Sequence, residues 1–386
     1  MKKKILFVID SLVCGGAEKS LVSLLPLLNR NKYELYIWII HRGGDFEILL
    51  PKDVVVVDSP KYSLLEKIYL EVGQILFSLL LRINKIFSIK EHNAEALWKS
   101  IGWAIKVPKG SWNTVIAYQQ GLPTYLVANK FSSCKKYAWI NVNIFEAGYN
   151  IEFNDQFYEK IDNIVSVSEK LYDLLSEKMP KFNSKYTLIY DILNPKVIHD
   201  WSLQKVQNLR TSNDETIIVT TGRLVRQKGY DLAIVAAAEL KQLGLKFKWY
   251  FIGEGGERSC IEQMKQEYGV MKEVVLLGFQ KNPYAFMRQA DVYVQPSRFE
   301  GFGLTIGEAK ILGKPIVSTN FDVVNNQLTH GKNGLIVKMD GKSIANAIYA
   351  MVTDPILRQN VVTEVMKEEN RTFLSEVQKV ETLIDC

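Results

Sequence analysis

Cysteine is scarce in this chain: four in 386 residues, at Cys14, Cys134, Cys260 and Cys386, with no C-x-x-C pair among them. That spacing excludes a disulfide framework and a thiolate zinc site, and it suits a reducing cytosol. Histidine is equally sparse, at His41, His92, His199 and His330. No Asp-x-Asp occurs, so nothing is spaced to bridge a metal ion to a diphosphate, and no metal site is expected. A G-x-x-x-x-G-K-[ST] loop and a G-x-G-x-x-G fingerprint are both missing, which excludes a Walker nucleotide site and an ordinary dinucleotide site. No run of 18 or more uncharged apolar residues is present, so no membrane span is expected. The apolar run of the opening K-K-K-I-L-F-V-I-D stops at Asp10, too short for a signal peptide. Beyond Met1–Lys4 there is no basic run with interleaved aromatics, and nucleic acid is not an expected partner.

What remains is an ordinary globular composition, 47% hydrophobic and 23% charged, with room for two domains. The net charge of +6 is unevenly spread. Residues 1–136 carry 19 Lys/Arg against 11 Asp/Glu, whereas residues 137–195 carry 5 against 9. A basic first third points to an anionic surface as partner.

The organising stretch is Ser297 to Asn320, S-R-F-E-G-F-G-L-T-I-G-E-A-K-I-L-G-K-P-I-V-S-T-N. An apolar run, Val292–Val294, reads as a buried strand closed by Pro296. Gly301 and Gly303 then let the backbone approach a ligand, and Leu304, Ile306, Ala309, Ile311 and Leu312 suit one face of a helix that Gly313 stops. Strand, glycine loop and helix N-terminus together favour an anion. Glu300 and Glu308 frame the loop; carboxylates beside a phosphate are repelled, so hydrogen bonds from sugar hydroxyls suit them better.

Earlier in the chain, Lys4–Ile9 reads as a strand, followed by Gly15-Gly16 and a helix bearing Leu21, Val22, Leu24, Leu25 and Leu28. Leu35–Ile40, Val54–Val57, Val115–Ala117, Ala138–Ile140, Ile164–Val167 and Thr187–Tyr190 read as further strands. This is the opening of a doubly wound α/β sheet. The Gly15-Gly16 turn is either a plain tight turn or a place where the backbone meets a ligand. Residues 61–90 show Leu64, Leu65, Ile68, Val72, Ile75, Leu76, Leu79, Ile83, Ile86 and Phe87 at helical spacing, with Lys61, Lys67, Arg82, Lys85 and Lys90 beside them. Such a helix either lies in a membrane interface or packs on its own domain. The polar stretch Asn194–Glu215 reads as an inter-domain linker.

The second half repeats the alternation, with strands Thr216–Thr221, Phe247–Ile252, Val274–Leu277, Val292–Val294 and Ile316–Ser318 and a clear helix at Tyr230–Leu243. Gly222-Arg223-Leu-Val-Arg226-Gln227-Lys228-Gly229 follows a strand and precedes a helix, offering a guanidinium fork and a compact ammonium to phosphate. Gly253 opens a second glycine turn, and Gly278-Phe279-Gln280 ends another strand.

The Glu-x7-Glu spacing with an internal G-F-G resembles the nucleotide-sugar signature of family 4 glycosyltransferases, retaining enzymes of the GT-B fold. The resemblance covers residues 216–340 strongly and 1–195 loosely. It implies two Rossmann-like doubly wound domains facing across a cleft, residues 1–195 for the acceptor and 196–364 for the donor. It also implies a C-terminal helix, about 365–386, that packs back on the first domain. Glu300 would lie near the donor sugar, Glu308 on the ribose, and Arg223 and Lys228 on the diphosphate. Gly15, Gly16, Gly222, Gly253, Phe279, Gln280, Gly301, Phe302, Gly303, Leu304 and Thr305 would complete the donor site.

Many family members carry a histidine at the end of a first-domain strand. Here Asn141, in Y-A-W-I-N-V-N, stands where it would be, and none of the four histidines ends a strand in that region. Asparagine can hydrogen-bond but cannot carry a proton. Tyr118-Gln119-Gln120 is an alternative site, in the acceptor cleft. The implied activity is transfer of a sugar from a UDP- or GDP-sugar, with no cofactor, to a glycan or polyprenyl-linked acceptor. It would take place in the cytoplasm, at the inner face of the membrane, in surface polysaccharide synthesis. A nucleotide-sugar epimerase and a non-catalytic nucleotide-sugar-binding subunit are the alternatives.

Overall fold

The computed structural model describes residues 2–13, 15–87, 91–368 and 371–386. Cys14 and Lys90, named above, lie outside the described residues. The chain divides into two compact units, residues 1–192 with 376–386, and residues 193–375.

In the first unit the strands are β1 (Lys3–Ser11), β2 (Tyr33–His41), β3 (Val55–Val56), β4 (Thr114–Ala117), β5 (Lys135–Ile140), β6 (Asn163–Ser166) and β7 (Tyr186–Leu188). They form one parallel sheet in the order β3-β2-β1-β4-β5-β6-β7. Helices cover both faces, which explains why Ile5 to Ile9 are all fully buried: a strand inside such a sheet needs apolar side chains on both sides.

In the second unit β8 (Thr216–Thr221), β9 (Phe247–Ile252), β10 (Val274–Gly278), β11 (Val292–Gln295), β12 (Ile316–Thr319) and β13 (Leu335–Val337) follow the order β10-β9-β8-β11-β12-β13. All pairings are parallel. Each sheet therefore reverses its strand order once, between β1 and β4 and between β8 and β11, and ligands of open α/β sheets bind at such reversals.

Three sequence expectations are corrected here. The stretch 194–215 is not a bare linker, since Pro195–Ser202 is a helix whose N-terminus is capped by Asn194, the Oδ1 accepting from Val197 N at 3.3 Å. Ile198 and Leu209 are buried in the second unit's core. Only Val197, Ile198 and Trp201 give that helix an apolar side, too few to show a period. The second sheet also has six strands, one more than expected, because β13 is only three residues long. Finally, His41 is the last residue of β2, so a histidine does end a strand of the first unit.

The amphipathic segment forms the helix Leu64–Ile86, started by a capping box of Ser63 and Glu66. Gly73 is its buried point: a Cβ there would stand 2.1 Å from Ile101 Cγ2, on the neighbouring helix Asn93–Ile101. With so narrow a seat, Leu64, Leu65, Ile68, Tyr69, Val72, Ile75, Leu76, Leu79, Ile83 and Ile86 stay exposed. Among the described residues no helix is long and apolar enough to cross a membrane.

Candidate functional site

The strand reversal of the second unit is built from two loops, one after β8 and one after β11. The first closes in a short 3-10 turn, Arg226–Lys228, and then Gly229 at φ +65°. A Cβ on Gly229 would stand 2.0 Å from the carbonyl oxygen of Pro296, so only glycine lets the two loops touch. They are then laced together. Arg298 N donates to Gln227 O at 2.8 Å, Arg298 Nη1 to Arg226 O at 3.0 Å, and Gln227 Nε2 to Phe299 O at 3.0 Å. Arg298 also grips Asp231 with both terminal nitrogens, at 2.7 and 2.6 Å.

This lacing carries Lys228 onto Glu300. The Lys228 Nζ donates to both carboxylate oxygens at 2.7 Å, with side chains only 16% and 6% exposed. The lysine stem runs over Gly222, where an added Cβ would come within 3.4 Å of Lys228 Cδ and Cε. Glu300 is held from the other side by Gln295 Nε2 at 2.7 Å and by Ser297 Oγ.

Gln295 is the hub, and it is almost wholly buried. Its Oε1 accepts from Tyr293 Oη at 2.7 Å and Thr305 Oγ1 at 2.8 Å, while its Nε2 also donates to Ser297 Oγ at 2.7 Å. Thr221 Oγ1 and Tyr293 Oη lie 3.1 Å apart, extending the chain of bonds to β8. Buried polar networks of this kind fix one geometry because every member is satisfied.

The glycine loop is closed by Gly303, at φ +84°, which caps the helix Leu304–Ile311. Gln327 Nε2 donates to the carbonyls of Phe302 and Gly303, the latter at 3.0 Å. Gly301 is exposed and Phe302 buried. Glu308 is fully buried, and its Oε1 accepts from Tyr284 Oη at 3.0 Å. Arg223 is exposed beside the site. Gly253 packs on Gly222, an added Cβ meeting its carbonyl oxygen at 1.9 Å, so that turn joins the loops after β8 and β9. Phe279 is exposed at the end of β10, and Gln280 Nε2 donates to Leu277 O at 2.9 Å.

The first unit has its own polar cluster at the β1/β4 reversal. Gly15 caps the helix Gly16–Leu24 in extended backbone. Glu18 Oε1 accepts from Gln119 Nε2 at 2.8 Å, and burial pushes the Glu18 carboxyl up. His41 Nδ1 lies 3.1 Å from Asp10 Oδ1, and that contact raises the imidazole pKa. Asn141 follows β5 directly; its Nδ2 donates to Tyr118 O at 2.8 Å, and its backbone N donates to Gln120 Oε1 at 3.0 Å.

Tyr118 itself is a correction. Its ring is 1% exposed and stacked on Trp139 at 5.1 Å, with its hydroxyl 3.1 Å from Ser20 Oγ. It belongs to the core and offers no side-chain surface to an acceptor, whereas Gln119 and Gln120 are half-buried. Asp191 lies in the same core, and burial, with Glu18 nearby, pushes its carboxyl up to about 7.

Among the described residues no group of three or more His, Cys, Asp or Glu side chains is placed to hold a metal ion. Sequence reasoning missed Gln295, Ser297, Gln327, Arg298, Asp191 and the Asp10–His41 pair. For Gln295 the available sign was a lone amide at the end of an otherwise apolar strand.

Residues 203–367 match the family model of glycosyl transferases group 1. That stretch contains Lys228, Gln295, Glu300 and Glu308. A lipopolysaccharide core biosynthesis glycosyltransferase of Rhizobium meliloti, LpsD, is 30% identical over 179 residues, 46% of this chain and 51% of its own. The chain thus spans about half the length of that relative. A Campylobacter jejuni enzyme is 25% identical over 354 residues, 91% of this chain and 90% of its own. That enzyme is the N-acetylgalactosamine-N,N'-diacetylbacillosaminyl-diphospho-undecaprenol 4-alpha-N-acetylgalactosaminyltransferase. The crystal structure of Anabaena HepE in complex with UDP-glucose aligns with a TM-score of 0.72 at 18% identity, covering 99% of this chain and 100% of that one. The fold is therefore GT-B, as the sequence resemblance implied.

Proposed function

We propose that this chain is a glycosyltransferase that moves a sugar from a nucleotide diphosphate donor, a UDP- or GDP-sugar, to a glycan or polyprenyl-linked acceptor. The role is in surface polysaccharide synthesis, and the configuration at the sugar carbon is retained. The observation that carries this reading is the Lys228–Glu300 pair on its Gln295 hub, set at the strand reversal within the segment that matches glycosyl transferases group 1. The named relatives are transferases, which favours transfer over epimerisation or mere binding.

Each side chain has a task that its surroundings suit. The diphosphate lies along the backbone N–H groups of the glycine loop and the helix starting at Leu304, whose dipole favours negative charge. Lys228 and Arg223 meet the charge that grows on the diphosphate as the sugar bond breaks. Glu300, held by Ser297, Gln295 and Lys228, presents a fixed acceptor to the sugar hydroxyls. Glu308 receives a ribose hydroxyl. The acceptor's hydroxyl proton passes to the departing phosphate oxygen as the new glycosidic bond forms on the same face, since Asn141 cannot take a proton. The exposed helix Leu64–Ile86 seats the protein on the inner leaflet, its stripe in the interface and Lys67, Arg82 and Lys85 toward anionic lipid.

The test is a panel of UDP- and GDP-sugars. A true donor raises the melting temperature by mass action and is then consumed, by transfer or slow hydrolysis. Transfer should survive EDTA. A protein that no nucleotide sugar stabilises does not have this function.

A further inference from the structure

Beside the first turns of the helix Leu64–Ile86 lies a pocket of about 990 Å³, wholly within the first unit. Four lysines line it: Lys61, Lys106, Lys109 and Lys130. Two acids oppose them, Asp58 and Glu66. Glu66 is already met by Lys106 Nζ at 2.6 Å, which with the Ser63 bonds holds its carboxyl down at about 2. Lys130 is fixed to the carbonyl of Trp103 at 3.0 Å. Lys61 and Lys109 make no ion pair with a described residue, so their charge is available.

The rest of the lining is apolar and aromatic. Tyr69 and Trp103 stand at its edge with ring centroids 5.8 Å apart, and Trp103 is 60% exposed. Tyrosine and tryptophan favour the boundary between water and hydrocarbon, because one end of each ring system is polar. Tyr69 is also a member of the helix's exposed apolar stripe, so pocket and stripe are continuous.

We propose that this pocket takes the phosphate head of an anionic amphiphile, whose hydrocarbon tail runs out along the Leu65–Ile68–Val72 stripe. The proposal rests on the membrane-seated reading given above and adds a specific lipid-phosphate site to it. Lysine ammoniums are compact charges suited to a phosphate, and the charge is of the right sign only for an anion. The apolar walls accommodate the first carbons of the tail, which a soluble sugar phosphate would leave empty. Proximity to the helix means that one molecule can satisfy both features at once.

The full-length protein would be titrated calorimetrically with farnesyl phosphate, with farnesol and inorganic phosphate as separate arms. Farnesyl phosphate should bind, and the two half-ligands should bind at least about tenfold more weakly, because each lacks one set of contacts. The double variant Lys61→Gln, Lys109→Gln removes two exposed charges without touching the core, and it should lose about tenfold or more in affinity for farnesyl phosphate. Equal binding of farnesol would overturn the proposal, as would equal binding of inorganic phosphate or an unchanged double variant.

A parallel measurement uses phosphatidylcholine vesicles containing phosphatidylglycerol. The variant Leu76→Ser, Leu79→Ser should keep its fold, since both leucines are exposed, and lose vesicle binding. Wild-type protein that ignores the vesicles yet binds dissolved farnesyl phosphate retires the membrane seat and keeps the pocket. Vesicle binding with no affinity for farnesyl phosphate does the reverse.

Discussion

Lys228 and Glu300 are 72 residues apart in sequence, yet the ammonium sits 2.7 Å from both carboxylate oxygens. The lysine follows β8 and the glutamate follows β11, and the adjacency of those two strands brings them together. A nearly buried ion pair of this kind is costly to break from one side. Lys228→Ala should therefore lower the melting temperature and cut transfer about 10²-fold or more, through lost stabilisation of the leaving diphosphate. Steady-state kinetics on the purified variant would check it, and near-normal turnover would remove Lys228 from the mechanism.

Replacing Gln295 with Ala deletes four hydrogen bonds at once and leaves Tyr293, Thr305, Ser297 and Glu300 to find other partners. Each buried polar group left unmet costs about 1–3 kcal/mol, so the variant should lose several kcal/mol of stability. Urea unfolding of the two proteins measures this; a loss below about 1 kcal/mol would mean that water takes over the hub.

Glu308→Ala should weaken donor binding by about 1–3 kcal/mol through the lost ribose contact. Tyr284→Phe is the control, because it removes the phenol that donates to Glu308 while keeping the carboxylate. Calorimetry with the donor identified in the panel separates the two. Unchanged affinity in the alanine variant would reduce Glu308 to a core residue.

Asp191 offers a pH test. Its carboxyl is pushed up to about 7 by burial, against an ordinary value of 3.8. Between those values the folded protein keeps a proton that the unfolded chain has lost, so stability falls as pH rises and levels off above about 7. Asp191→Asn, neutral throughout, escapes that fall. The variant should match the wild type near pH 4 and exceed it near pH 8 by on the order of 4 kcal/mol. Denaturant unfolding at both pH values checks it; a difference independent of pH would show that Asp191 is ionised in the folded state.

The strands were largely legible because a parallel sheet buries both faces, so runs such as Ile217-Ile218-Val219 announce themselves by composition alone. Leu335–Val337 did not, being three residues between Gly334 and Lys338. The glycine loop and the helix Leu304–Ile311 behind it were legible because Gly303 and Gly313 mark their ends locally. Tyr118 misled, since a tyrosine at a strand end looks the same whether it faces a ligand or stacks on Trp139. The partners of Glu300 were not legible at all. Nothing in G-R-L-V-R-Q-K-G names the strand beside which it will lie, and that is decided by the order of β8 and β11.

Residues 376–386 complete the first unit from beyond the second. Lys3 Nζ donates to the carbonyls of Ile384 and Asp385, Asn29 N to Glu381 Oε1, Tyr137 Oη to Leu383 O, and Tyr190 N to Glu376 Oε2. On the ribosome the first 192 residues emerge without the helix that covers this part of their core, because Val377, Val380 and Ile384 follow only after the second unit has been made. Deleting residues 376–386 would therefore damage the half of the protein made first.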